Sequence, residues 1–85
     1  MYKMEKLQMQ KQKNLTEKNL KQKIGENLFK IRRDKNLTLT QSSIILGITR
    51  SQLDWLERGL GCMNLRKLSK ISNNYQIDIM DLFRA

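Results

Sequence analysis

Eighty-five residues suffice for one small domain and leave no room for a deep pocket between lobes, so a large enzyme is excluded. With no His, no Pro and one Cys, the chain lacks the side chains for a structural zinc site, a disulfide framework or a histidine-based catalytic triad. Seventeen Lys and Arg against eight Asp and Glu give +9, an excess that favours a polyanionic partner such as nucleic acid or an acidic membrane surface.

There is no run of 18 apolar residues and no apolar core with a small-residue cleavage site near the start, so a cytoplasmic location is expected. Cys62, among small and polar neighbours, then reads as an unreactive thiol in a reducing compartment.

The charge divides the chain in two. Residues 1–23, MYKMEKLQMQKQKNLTEKNLKQK, hold seven Lys and two Glu with only a few scattered apolar side chains. That composition cannot form its own core, and no start signal marks a helix in it. It is expected to be a basic N-terminal arm, mobile or extending the next helix backwards.

From Ile24 the pattern changes, and residues 24–85 read as one helical domain. Ile24, Leu28 and Ile31 recur at the spacing that puts an apolar stripe on one helix face, predicting a first helix over about 24–35. Asn36 can take the left-handed geometry that ends it. Thr38 with Gln41 three residues later is a capping-box pattern, and it predicts a second helix over 39–46. Gly47 permits a sharp turn at positive φ, after which Thr49 with Gln52 repeats the box and predicts a third helix over 50–58, stopped by Gly59 and Gly61. Two short helices joined around one glycine cannot lie antiparallel over any length, so they must cross steeply. Asn64 can cap a fourth helix with Leu65, Leu68 and Ile71 on one face, and Asp78 a fifth with Ile79, Leu82 and Phe83.

The segments IGENLFKIRRDKNLT, LTQSSIILGITRSQLDWLERG and NLRKLSKISNNYQIDIMDLF together resemble the xenobiotic-response-element and phage Cro/repressor helix-turn-helix family. The resemblance covers about 60 of the 85 residues without a gap, is most specific over GITRSQLDWLERG, and excludes residues 1–23. It implies an all-α, five-helix lambda-repressor-like DNA-binding domain with a basic N-terminal arm. The implied function is that of a transcriptional regulator, expected to be a repressor, acting on double-stranded DNA without a cofactor or metal and with no enzymatic role. A homodimer is expected because one reading helix covers only a few base pairs.

A major groove about 12 Å wide admits one helix and shows each base pair a distinct set of donors and acceptors, read by the first residues of that helix. Those residues are Arg50, Ser51, Gln52, Asp54 and Trp55, because Leu53 and Leu56 must turn inward. Arg50 is the leading candidate for a two-bond contact to guanine, its alternative being a phosphate contact alone. Gln52 serves a base, a phosphate or only its cap. Trp55 lies either on the DNA face, against thymine methyl groups or the sugar backbone, or packed under a neighbouring element. Thr38, Thr40 and Gln41 at the start of the second helix are the candidates for holding a phosphate, with Arg58, Arg66 and Lys67 behind them.

By resemblance, Arg32 and Glu57 are expected to form a partly buried ion pair joining the first helix to the end of the third, and Ile79, Met80 and Phe83 to form the dimer surface, with the domain core as the alternative. The chain departs from the family pattern at several positions. Leu39 stands where Gln is common, and Ser42 where an apolar residue is usual, which weakens packing or implies a hydroxyl bond to the preceding turn. Met63 replaces a common Pro, and Leu60 with Gly61 replace a frequently basic pair.

A second function class is an antitoxin-type or adaptor protein, in which residues 1–23 bind a protein partner through Met4, Leu7, Met9, Leu15 and Leu20. A membrane-surface role is weaker, because those apolar residues form no continuous face.

Overall fold

The computed structural model of the chain describes residues 16–84, so most of the expected arm over 1–23, including Met4, Leu7, Met9 and Leu15, lies outside the described residues. Among the described residues there are four α-helices and a closing 3-10 turn: α1 Glu17–Asp34, α2 Leu39–Leu46, α3 Arg50–Glu57, α4 Leu65–Tyr75 and the turn Ile79–Leu82. The expected fifth helix is thus a single 3-10 turn. Asp78 does open it, accepting from the Met80 N–H at 2.9 Å, but four residues do not fill out even two α-helical turns.

Helix α1 begins well before Ile24. Thr16 accepts from the Asn19 N–H at 3.1 Å and Glu17 stands in the first turn, where its charge complements the helix dipole. The apolar stripe missed this start because Leu20 is the only apolar residue in 17–23. At its other end the helix closes at Lys35, and Asn36 takes the left-handed conformation (φ 57°).

Both capping boxes form as their sequences require. Thr38 accepts from Gln41 N at 3.1 Å while Gln41 Oε1 accepts from Thr38 N at 2.8 Å; the Thr49 and Gln52 pair repeats this at 3.0 Å in both directions. Between them Gly47 sits at φ 71°, a conformation that lets the Ile48 N–H reach the Ser43 carbonyl at 3.1 Å and sends the chain sharply into α3.

The core gathers Ile24, Leu28, Leu46, Leu53, Leu56, Leu68, Ile71, Tyr75 and Leu82, drawn from all four helices and the closing turn. Of the predicted α4 stripe, Leu68 and Ile71 are buried, whereas Leu65 is 71% exposed. It is the first residue of its helix and lies at the rim of the core.

Two residues of α1 fix how the elements meet. Gly25 lies where α1 crosses the end of α3, and a Cβ there would come within 2.5 Å of the Leu56 carbonyl oxygen and 2.7 Å of that of Glu57. Asn27, nearly buried, donates through Nδ2 to the carbonyls of Leu82 and Arg84, both at 2.8 Å. It thereby ties the C-terminal turn to α1 and satisfies carbonyls that would otherwise be costly to bury.

Candidate nucleic-acid interface

Leu53 and Leu56 anchor α3, being 0% and 3% exposed respectively. At 100° per residue, that orientation puts Ser51, Asp54, Trp55 and Arg58 on the opposite side, with Arg50 and Gln52 on its two flanks. All of these are exposed except Asp54, which is half-buried. Arg50, Ser51, Asp54 and Arg58 line one shallow depression, closed at the α2 side by Leu39.

Trp55 is 58% exposed, so of its two expected placements it takes the surface one. Asp54 and Arg58, one turn apart, pair through Oδ1 and Nε at 3.3 Å, leaving the two terminal nitrogens of the exposed guanidinium as donors. Gln52 spends its carbonyl oxygen on the Thr49 N–H and keeps its amide hydrogens as donors.

At the start of α2, Thr38, Thr40 and Gln41 are all exposed. Thr38 and Gln41 are each half-committed to the cap, which leaves the threonine hydroxyl hydrogen and the glutamine amide hydrogens as donors. The first-turn N–H groups of Leu39 and Thr40 have no carbonyl within the helix to bond. Arg66 is exposed and Lys67 half-buried in the first turn of α4.

The structure brings Arg32 and Glu57 together in a two-bond pair, Nε to Oε2 at 2.7 Å and Nη2 to Oε1 at 3.1 Å, while Arg32 Nη1 donates to the Leu37 carbonyl at 2.9 Å. Their side chains are only 13% and 7% exposed. One guanidinium therefore joins the last turn of α1, the loop before α2 and the final residue of α3. The hydrogen bonds to Glu57 raise the Arg32 pKa above its ordinary value, against the opposing effect of burial. The Phe29 ring lies 5.3 Å from the Arg32 guanidinium and 5.6 Å from that of Arg33.

Ser42 departs from expectation. The serine that bonds the preceding turn is Ser43, whose hydroxyl donates to the Thr40 carbonyl at 2.8 Å. Ser42 is fully buried beside Tyr75. The two hydroxyls interact without completing a well-formed hydrogen bond, an imperfectly satisfied spot in an otherwise apolar core. Burial raises the Tyr75 pKa, and the Ser42 contact opposes this only in part.

At the C-terminal end, Met80 is 58% exposed, whereas Ile79 and Phe83 pack partly against the core. Phe83 also lines a shallow apolar groove with Leu20, Met63 and Leu65. Cys62 is exposed and free. Among the described residues no cluster of His, Cys, Asp or Glu is arranged to hold a metal ion, and no helix is long and apolar enough to cross a membrane.

Phe29, Asn27 and Tyr75 went unnoticed in the sequence. Asn27 and Tyr75 have partners 40 to 57 positions away, which no local pattern marks, whereas Phe29 meets Arg32 and Arg33 at the three- and four-residue spacing of one helix face, a signal that was there to be read.

A capped helix, a glycine turn and a second capped helix crossing it, with the second anchored by leucines and, Trp55 apart, polar on its outer side, define the helix-turn-helix class. Solved structures that share this fold include two helix-turn-helix regulators. An HTH_3 family transcriptional regulator from Vibrio cholerae superposes with a TM-score of 0.75 at 24% identity, over 80% of this chain and 38% of that one. The restriction-modification controller protein C.AhdI from Aeromonas hydrophila superposes with a TM-score of 0.69 at 27% identity, over 74% of this chain and 96% of that one. Both are XRE/Cro-type helix-turn-helix proteins, and the fold of this chain is of that type. The chain spans well under half the length of the Vibrio protein. No protein-family model matches it, and no curated protein matches it.

Proposed function

We propose that the chain is a sequence-specific DNA-binding transcriptional regulator that sets the outward side of α3 into the major groove and acts as a repressor on a two-fold operator. The observation that carries this reading is the construction of α3: a short helix capped at its start, clamped at its end by the Arg32–Glu57 pair, and presenting Arg50, Ser51, Gln52 and Trp55 to solvent with Asp54 half-buried among them. Such a rod holds base-reading side chains in fixed register, which is what discrimination between base pairs requires.

Arg50 is assigned to guanine, with its fork to O6 and N7. The donors left over at Thr38, Thr40 and Gln41 face a phosphate, joined by the dipole of α2, and Arg58, Arg66 and Lys67 supply further backbone contacts. A homodimer supplies the second reading helix, with exposed Met80 and the outer edges of Ile79 and Phe83 at the subunit contact. The neighbours named a transcriptional regulator and a restriction-modification controller support the reading of the chain as a DNA-binding regulator. The exposed donors, the basic balance of the chain and the absence of a supporting catalytic constellation favour DNA binding over an enzymatic role.

Selection of genomic fragments with the purified protein at about 0.15 M salt, where weak phosphate-only binding is largely screened, tests the proposal. Enrichment of a few fragments, each protected in footprinting over a two-fold sequence, is the expected result. Recovery of fragments with no shared sequence refutes it.

A further inference from the structure

We infer that Trp55 makes this chain a reader of the pyrimidine C5-methyl group, so that at one position of each half-site it separates thymine or 5-methylcytosine from an unmethylated pyrimidine. The inference rests on the proposed insertion of α3 into the major groove and assigns a chemistry to the one large apolar side chain on that face.

Trp55 lies four residues after Ser51 and therefore directly over it on the outer side of α3, opposite the buried Leu53 and Leu56. More than half of its surface is exposed, so its indole is not held as part of the core. Of the neighbouring side chains on that face, Ser51 is short and Asp54 is paired with Arg58, whose exposed guanidinium is the other large group. The indole is thus the broadest apolar contact surface there.

Its chemistry is narrow. An indole has one N–H donor, no acceptor, and otherwise only ring carbon to offer. In the major groove, thymine presents a C5-methyl group beside the O4 acceptor, matching both features. Unmodified cytosine presents the N4 amino donor and no methyl, matching neither, whereas 5-methylcytosine restores the apolar half of the match. Trp55 stands over Ser51 on the outward side of α3, the side proposed to enter the groove, which points the indole at base edges rather than at the backbone.

The test uses the full chain and an operator recovered by fragment selection. Each thymine is replaced in turn by deoxyuridine, which removes only the methyl group, and affinity is measured for the wild type and for Trp55→Gln. At one thymine per half-site, deoxyuridine weakens the wild type about fourfold, the worth of burying one methyl group, and changes Trp55→Gln by less than about twofold. At the same position, 5-methylcytosine binds the wild type more tightly than cytosine by a similar factor.

Thermal melting of Trp55→Gln accompanies the titrations, and because the side chain is exposed the melting point stays near that of the wild type. Deoxyuridine tolerated at every position overturns the inference while leaving the DNA-binding proposal in place, as does a deoxyuridine penalty that survives in Trp55→Gln. Uniform weakening of Trp55→Gln on all sequences, without a methyl effect, assigns the indole to the sugar backbone and likewise overturns it. Failure to recover any operator removes the DNA-binding proposal itself, and this inference with it.

Discussion

Replacing Glu57 by Ala removes one member of the Arg32–Glu57 pair and leaves the other buried. The guanidinium loses its bonds to Oε2 at 2.7 Å and Oε1 at 3.1 Å and keeps only the Leu37 carbonyl at 2.9 Å. Each bond to a charged group contributes roughly 1.5 to 3 kcal/mol, and stranding one partner of a buried pair costs about 3 to 5 kcal/mol. A small domain loses about 4 to 8 °C of melting temperature per kcal/mol, so Glu57→Ala should melt at least roughly 12 °C lower.

An internal control is available in Glu26, whose pair with Lys23 spans 3.4 Å with the carboxylate side chain 61% exposed. Glu26→Ala should cost no more than about 0.5 kcal/mol. Thermal melting followed by circular dichroism, at equal concentration and salt, compares the two. The double substitution Arg32→Met with Glu57→Leu should recover most of the loss, since filling the site with apolar side chains removes the stranded charge. A Glu57→Ala melting point no lower than that of Glu26→Ala refutes the view that this pair holds α3 in place.

Gly25→Ala sets two effects against each other. Helix propensity alone predicts a gain of about 1 kcal/mol, but the added Cβ meets backbone carbonyls at 2.5 and 2.7 Å, and backbone cannot swing aside. The expected outcome is a net loss of about 1 to 3 kcal/mol in denaturant unfolding, and a stabilised variant contradicts the described crossing of α1 over α3. Tyr75 predicts an alkaline effect. Its folded pKa is raised by burial above the ordinary value of about 10, so the folded state favours the neutral phenol. That contribution is complete below about pH 10 and is lost as pH rises through the folded value, because only the unfolded chain releases the proton readily. Wild-type stability should therefore fall more steeply than that of Tyr75→Phe between pH 9.5 and 11, values bracketing that constant of about 10; parallel curves contradict a buried neutral phenol.

The local features of the fold were legible because each is a statement about neighbouring residues. Thr38 with Gln41, Gly47, and Thr49 with Gln52 give α2, the turn and the start of α3 by side-chain reach alone. Leu53 and Leu56, by spacing, determine which side of α3 faces out. Legibility stopped where the cause lies elsewhere in the chain. The start of α1 at Thr16 is an exception, a local cap passed over because few apolar residues follow it, and Leu65 obeys the α4 spacing yet stays 71% exposed at the first position of its helix. Ser42 reads as a defect in an apolar position until Tyr75, from α4, is seen against it. Asn27 and Gly25 look like ordinary helix residues in sequence, and only the packing of distant backbone against them gives them a task.

The central claim is that α3 reads base edges, and Arg50 is the side chain on which it bears most directly. Arg50 is exposed at the first position of α3, so Arg50→Ala should fold as the wild type does. Anisotropy titrations of both proteins should be run on a selected operator and on a scrambled duplex of equal length. Loss of about 1 to 3 kcal/mol of discrimination between the two, with binding to the scrambled duplex nearly unchanged, is the predicted result. An equal loss on both duplexes makes Arg50 a phosphate contact only, and no loss on either takes α3 out of the groove.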